Sequence, residues 1–305
     1  MSCACNLTLG NAGIPSCQPI MSVARRFIAV PMIADDGTEN YIDLTDTLNQ
    51  AYFEALRDQT DASKRWYPMP FVDNVEDTKE DSIKETLNSG QNIFVKEGVR
   101  NVACVMVAQS ANMLSKLKNH RCVEFGIFTI DKDGNLIGRY DATNNRLYPV
   151  KVDKDTWDPK LEKSTDTTIQ KIALMFSWDE EEEDGDLRMI VPSEMDNFKI
   201  VNMNGLIDVN CAVSGISTTG FTTVLTQDFG SAKTFPSVRD WVAGDFTLYN
   251  NTTSASVVIT SVTESTVTPG SYVFVIPAQS SSDNMTLSAQ KDGYSFADVS
   301  IDIPT

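Results

Sequence analysis

Cys122-Val-Glu-Phe-Gly-Ile-Phe-Thr-Ile-Asp131-Lys-Asp-Gly134-Asn-Leu-Ile-Gly-Arg-Tyr140 is the stretch on which the fold turns. Its side chains alternate with a period of two. Val123, Phe125, Ile127, Thr129 and Asp131 fall on one face of an extended chain, and Phe128 and Ile130 on the other. Asp133-Gly134 then supplies the positive φ of a tight two-residue turn, so Leu136 to Tyr140 returns as an antiparallel strand. The same residues argue against a calcium loop. In Asp131-Lys-Asp-Gly-Asn135 the glycine is fourth rather than sixth, and strands rather than helices flank it.

Outward from this hairpin the first half reads as mixed α and β. Phe27 to Ile33 is extended, with Pro31 suiting an edge or a bend. Asp35-Asp36-Gly37 is a turn. A helix capped by Thr45 or Asp46 follows, with Leu48, Ala51, Tyr52, Ala55 and Leu56 on one face. Trp66-Tyr67-Pro68 opens another extended segment. Ile83 and Leu87 share a side at helical spacing, which predicts a second helix over Asp81 to Asn88, stopped at Gly90. Asn92 to Lys96 and Val99 to Val107 are extended, and Ala111 to Lys118 is a short helical piece presenting Leu114 and Leu117. Thr168 to Trp178 places Ile172, Leu174, Phe176 and Trp178 on one face. It runs into Asp179-Glu180-Glu181-Glu182-Glu183-Asp184-Gly-Asp186, seven carboxylates in eight residues, after which Leu187 to Val191 returns. The pattern predicts a hairpin with an acidic, solvated tip, able to dock a basic surface or to face a lumen.

Composition changes near residue 200. Residues 201–305 carry three Lys or Arg against nine acids, and 30 Ser or Thr. Strand candidates recur there at Leu206 to Val213, Phe221 to Thr226, Asp245 to Asn250, Ser256 to Val262, Ser271 to Ile276, Met285 to Gln290 and Phe296 to Ile303. Short strands with turns between them predict an immunoglobulin-like β-sandwich. Asp292-Gly293-Tyr294-Ser295-Phe296 looks like a tyrosine corner, with Phe296 where a disulfide cysteine would stand. The expected fold class is α+β and mostly β. It divides into an extended arm over 1–22, a β-sandwich or barrel with short helices over 23–195, and the second sandwich over 196–305.

The chain has 305 residues, 41% of them apolar, and a formal net charge of −17. That suffices for two packed cores. No apolar run approaches the ~20 residues of a bilayer span, and no secretory signal opens the chain, so no membrane anchor is expected. The acidic balance argues against duplex-DNA binding. His120 is the only histidine, so triads and multi-histidine metal sites find no second member, and its basic setting predicts a solvated loop or helix-end residue. Cys3, Cys5 and Cys17 lack a fourth ligand and the usual zinc spacing. Cys104 and Cys122 read as buried small residues. No phosphate loop, nucleotide fingerprint or nucleophile elbow occurs. No enzyme activity, catalytic residue, metal or cofactor is expected. Trp241, Tyr249 and Tyr272 are candidates for stacking on sugars, although core packing is their commoner use.

Three segments carry a family resemblance. They are Cys3-Ala-Cys5 with Leu9 to Ile20, Arg25 to Pro31 with Asp35-Asp-Gly37, and Trp66-Tyr67-Pro68 with Ile93 to Arg100 and the hairpin Phe128 to Tyr140. Together they resemble virion proteins of the crAss-like phages of gut Bacteroides-type bacteria, and in particular a tail-tube or tail-ring subunit. The resemblance covers about residues 1–190. It implies a structural virion protein, made in the host cytoplasm, that forms a six- or twelve-fold homo-oligomeric ring in the tail. It would contact an adjacent ring, hub or portal-proximal protein and pass genomic DNA without holding it. The N-terminal arm, with Gly10, Gly13, Pro15 and Pro19, would clamp a neighbour. The alternative is a surface or decoration protein that binds host glycan or receptor through the C-terminal sandwich.

Overall fold

The computed structural model describes residues 20–305, so the expectations for the N-terminal arm and for Cys3, Cys5 and Cys17 lie largely outside the described residues. The chain is mostly β. The first part contains β1 (Ala24–Pro31), β2 (Ile42–Asp43), helix α1 (Gln50–Arg57), β3 (Tyr67–Phe71), β4 (Asp73–Lys79), β5 (Ile83–Thr86), β6 (Asn92–Lys96) and β7 (Arg100–Val107). It continues through α2 (Ala111–Asn119), β8 (Phe125–Asp131), β9 (Leu136–Asp141), β10 (Arg146–Tyr148), β11 (Val150–Glu162), β12 (Lys171–Trp178) and β13 (Leu187–Ile190).

β1 and β8 pair antiparallel along their whole length, from Ala24 opposite Asp131 to Pro31 opposite Phe125. Both are apolar on both faces. Phe27, Ala29, Phe125 and Ile127 enter one core, and Ile28, Val30, Phe128 and Ile130 enter another. A strand pair of this kind must be covered on both sides. The far edge of β8 is therefore divided. β11 pairs with its start at Ile127 and Gly126, and β9 with its end at Thr129 and Ile130. On one side β3, β1, β8, β11, β12 and β7 all send alternate residues into the first core, so the sheet curls around it, and Leu117 of α2 closes one end. Trp157 sits at its centre, against Phe125 and Phe176 at 5.1 and 5.2 Å between ring centroids. Its indole Nε1 donates to Leu117 O at 2.7 Å, so the buried polar atom is satisfied and α2 is fixed to the core. On the other side Trp66 stacks on Phe128 at 4.8 Å, with Phe53 of α1 behind it.

The hairpin that decides the fold is present, with a correction to its turn. Asp131 N donates to Asn135 O and Gly134 N to Asp131 O, which makes a three-residue loop with Gly134 at φ +88°. The buried Asp131 carboxylate accepts from Ser22 N, Asp133 N, Asn135 N and the Asn135 amide, so it is consumed in shaping the turn. Asn49, rather than Thr45 or Asp46, caps α1. The buried face of that helix is Phe53 and Arg57; Ala51 and Ala55 are exposed.

Two expected elements are absent. Asp81 to Asn88 is not a helix. Ile83–Thr86 is strand β5, paired with β6 across the loop Asn88-Ser89-Gly90, in which Gly90 has φ +82°. Leu87 N donates to Gln91 O and Gly90 N to Leu87 O, the same loop that closes β8 onto β9. The i, i+4 spacing of Ile83 and Leu87 misleads because both sit on an arm that makes no core. Nor does the acidic stretch close a hairpin. β12 pairs with β11 and β7, whereas β13 pairs with β9, so residues 179–186 cross from one part of the sheet to another. Ile190 enters the second core and fixes that crossing.

The N-terminal cores run on to Met203, with Met195 and Ile200 buried among the second, so the core changes at 204–206 rather than at 195. Beyond lie β14 (Ile207–Ser217), β15 (Gly220–Gln227), β16 (Phe246–Asn250), β17 (Ala255–Val257), β18 (Ser261–Glu264), β19 (Ser271–Val275), β20 (Asn284–Ala289), β21 (Tyr294–Phe296) and β22 (Val299–Asp302). One sheet has the order β18-β19-β15-β14-β21 and the other β17-β16-β20-β22. With β14 as the first strand this is the immunoglobulin-like arrangement, four strands against four. β21 is an added short strand lying parallel to β14. Ser256 to Val262 and Phe296 to Ile303, each expected as one strand, are each broken in two. Tyr294 is half-buried and its hydroxyl makes no hydrogen bond among the described residues, so the tyrosine corner is not formed there. The bonded tyrosine is Tyr272, whose hydroxyl donates to Val238 O at 2.9 Å.

Phe128→Ala removes the ring that separates Trp66 from Gly138, where a side-chain Cβ would lie 2.8 Å from the Phe128 ring. It should destabilise the protein by about 3–5 kcal/mol in urea denaturation. Met175→Ala, on an exposed position of β12, should change stability by less than about 0.5 kcal/mol.

Candidate functional site

The acidic run does not stand free. Asp179 pairs with Lys151 at 2.9 Å, and Glu180 with Lys96 at 3.1 Å. Asp184 meets Arg100 at 3.0 Å and Lys79 at 3.3 Å. Glu182 lies 3.5 Å from Arg139 and accepts from Lys151 N at 3.0 Å. Burial raises the Glu182 carboxyl above its usual range, because the partial charges around it do not replace water in full. Asp184 is held below its usual range by the Arg100 hydrogen bond first, against an opposing effect of burial. Glu181, Glu183 and Asp186 make no ion pair among the described residues. The bases that hold the run come from β4, β6, β7, β9 and β11, so its carboxylates brace the body of the first domain. They do not converge on one point, and no group of three or more potential metal ligands occurs among the described residues.

The three aromatic candidates are separated by burial. Trp241 and Tyr272 are core residues and only Tyr249 is exposed, so they form no shared face for a sugar ring. Cys104 is buried, and burial pushes its thiol up to about 12; Cys122, expected inside, is exposed.

Two features that the sequence did not announce dominate the surface. The first is a groove of about 900 Å3 between the domains. Its floor is β3, which pairs only with β1 and has prolines at 68 and 70. Met113, Leu117 and Phe125 line one wall, and Leu206, Ile207 and Phe229 the other. Arg26 lies buried beneath it. Its guanidinium donates to Met69 O, Val201 O and Asn204 Oδ1, tying β1 and β3 to the segment that enters the second domain. It meets only neutral acceptors, and desolvation lowers it to about 10. Across the junction Lys116 pairs with Asp228 at 2.9 Å and also with Asp208, Arg57 pairs with Asp292, and Arg65 donates to Ser295 Oγ at 3.0 Å. At Gly205 a Cβ would stand 2.7 Å from Pro68 O, so only glycine allows this close approach of linker to floor.

His120 borders the groove, contrary to the expectation of a solvated residue. It packs against Phe125 and Trp157 at 5.4 and 5.6 Å, and its Nδ1 is sealed from solvent without a partner. Burial lowers it to about 4.

The second feature is the β5–β6 hairpin. It pairs with no other strand, and every residue of both strands is exposed, including Ile83, Ile93, Phe94 and Val95. It continues from β4 and β7, with Glu80 N donating to Val99 O at 3.0 Å. At the join, a Cβ on Gly98 would fall 2.0 Å from Glu80 O. Alternation in Asn92 to Lys96 and the Asn-Ser-Gly turn were legible signals for it. Their exposure was not, because nothing in the pattern distinguishes a face turned to solvent from one turned to a core.

No protein family and no curated protein matches the chain. No helix among the described residues is long and apolar enough to cross a membrane.

Two outcomes follow for this region. Because the folded His120 resists protonation, the unfolded state takes up the extra proton as pH falls below about 6.5. Stability is therefore lost between about pH 6.5 and about 4 and levels off below. His120→Phe should flatten that part of the urea midpoint–pH curve, by on the order of 2 kcal/mol after allowance for partial exposure of the ring. Gly98→Ala should disturb the arm while leaving the cores intact. Hydrogen exchange should speed up in residues 80–99, with β1 and β8 unchanged.

Proposed function

We propose that this chain is a structural subunit that assembles with copies of itself into a ring, as a component of a phage tail around the DNA conduit. The observation that supports it most is the β5–β6 arm. An isolated two-stranded hairpin is at best marginally stable in water, and this one leaves Ile83, Leu87, Ile93, Phe94 and Val95 exposed. A surface of that kind is covered in the working assembly.

Charge fits the same reading. At −17 per subunit a ring carries a large negative charge, which repels duplex DNA and leaves no phosphate trap. On this reading the subunit is not an enzyme, and its place is the virion tail, beside an adjacent ring, hub or portal-proximal protein. The braced acids of 179–186 act as structure, with Glu181, Glu183 and Asp186 left to face a lumen or a basic neighbour. Glycan binding by the second sandwich loses support, since two of its three candidate aromatics are buried.

Negative-stain microscopy of the purified chain at increasing concentration is expected to show closed rings. Duplex DNA should not be retarded by these rings at low salt. A chain that stays monomeric at every concentration, or a salt-sensitive complex with DNA, would overturn the reading.

A further inference from the structure

We propose that the β5–β6 hairpin of one copy inserts into the interdomain groove of the next, giving a head-to-tail contact; this rests on the self-assembling reading above. The two features lie at opposite ends of the same strand pair. Asp73, at the start of β4, and Val107, at the end of β7, line the groove. Lys79 and Arg100, at the other ends of those strands, carry the arm. At about 3.3 Å per residue, β7 alone sets them ~23 Å apart, and the arm leads further away. The hairpin of a chain therefore does not reach its own groove, and the groove is left open to the hairpin of a second copy.

The chemistry of the two surfaces corresponds. From Thr86 to Val95 the hairpin has no charged residue, so insertion strips water from no ion of the hairpin tip. Ile93, Phe94 and Val95 supply apolar bulk, and the groove offers Met113, Leu117, Phe125 and Phe229. Its volume is near the upper end of the ~300–1,000 Å3 that enclose a compact ligand. Arg65, which lines the groove and is held by Gln59 O, Thr60 O and Ser295 Oγ, makes no ion pair with a carboxylate among the described residues, and neither does Glu85, on β5 of the hairpin, with a base.

The groove floor also argues for insertion rather than strand pairing. β3 carries two prolines, which lack the N–H that an added strand would use. The contact is heterologous, so repetition closes into a ring or grows as a filament according to the rotation between copies.

The test uses the full-length chain with a photoreactive benzoylphenylalanine at position 94, mixed with isotope-labelled unsubstituted chain. Irradiation of ring fractions should give cross-links between unlike isotopes that map to Tyr67–Phe71 or to residues 113–125. Phe94→Asp and, separately, Val123→Asp at the groove mouth should each raise the concentration needed for assembly at least ten-fold. Both positions are about half exposed, at 53% and 48%, so circular dichroism and thermal unfolding should not change. Phe94→Leu should assemble as the parent does. Rings whose cross-links fall elsewhere, or only within one chain, overturn the insertion and leave the ring reading standing. Absence of rings from the parent chain overturns both.

Discussion

Two neighbouring strands with apolar side chains on both faces set the terms for the whole first domain. β1 and β8 cannot lie at a surface, because either face exposed would leave Phe27 and Ile127, or Ile28 and Phe128, in water. Each such side chain is worth roughly 1.5–3 kcal/mol of burial. The rest of the domain is the means of covering them. β11, β12 and β7 curl over one face, and the segments carrying Trp66, Phe53 and Met195 close the other. The division of the far edge of β8 between β11 and β9 follows from the same demand.

Much of this was legible in the hairpin Cys122 to Tyr140, since period-two alternation and an Asp-Gly turn are local signals. The strands of the second domain were also visible, because each is bounded by its own turn residues. What was not legible depended on partners far away in the chain. Ile83 and Leu87 have the spacing of a helix face, and only the pairing of Ile83–Thr86 with Asn92–Lys96 decides against it. Leu187–Ile190 follows the acidic run as a returning strand would, yet its partner is β9. His120 sits among lysines in sequence and between aromatic rings in space. The second sandwich was legible as seven strand segments, whereas nine strands form, because two of the segments break, at 258–260 and 297–298, where the chain changes direction.

The polar groups show how a chain with a large excess of acid stays compact. Carboxylates at 179–184 are distributed over five strands that supply the bases, so repulsion within the run is offset by attraction to the body. The domain junction is likewise charged and small in its contacts, with Lys116, Arg57 and Arg65 reaching across. Interdomain faces of this kind are polar, and relative motion of the domains is their ordinary behaviour. They also leave a cleft where the two curved surfaces do not meet.

The contact of Gly98 with the Glu80 carbonyl has a further meaning for how such a chain diversifies. No side chain fits at that crossing, and none of the residues distal to it belongs to any of the three cores. The segment 81–97 thus stands outside the packed scaffold, joined to it at that backbone pinch and by the surface ion pairs Lys96–Glu180 and Glu97–Lys79. Substitutions there are sheltered from the cost of misfolding, so the arm's surface can change while the three cores stay as they are.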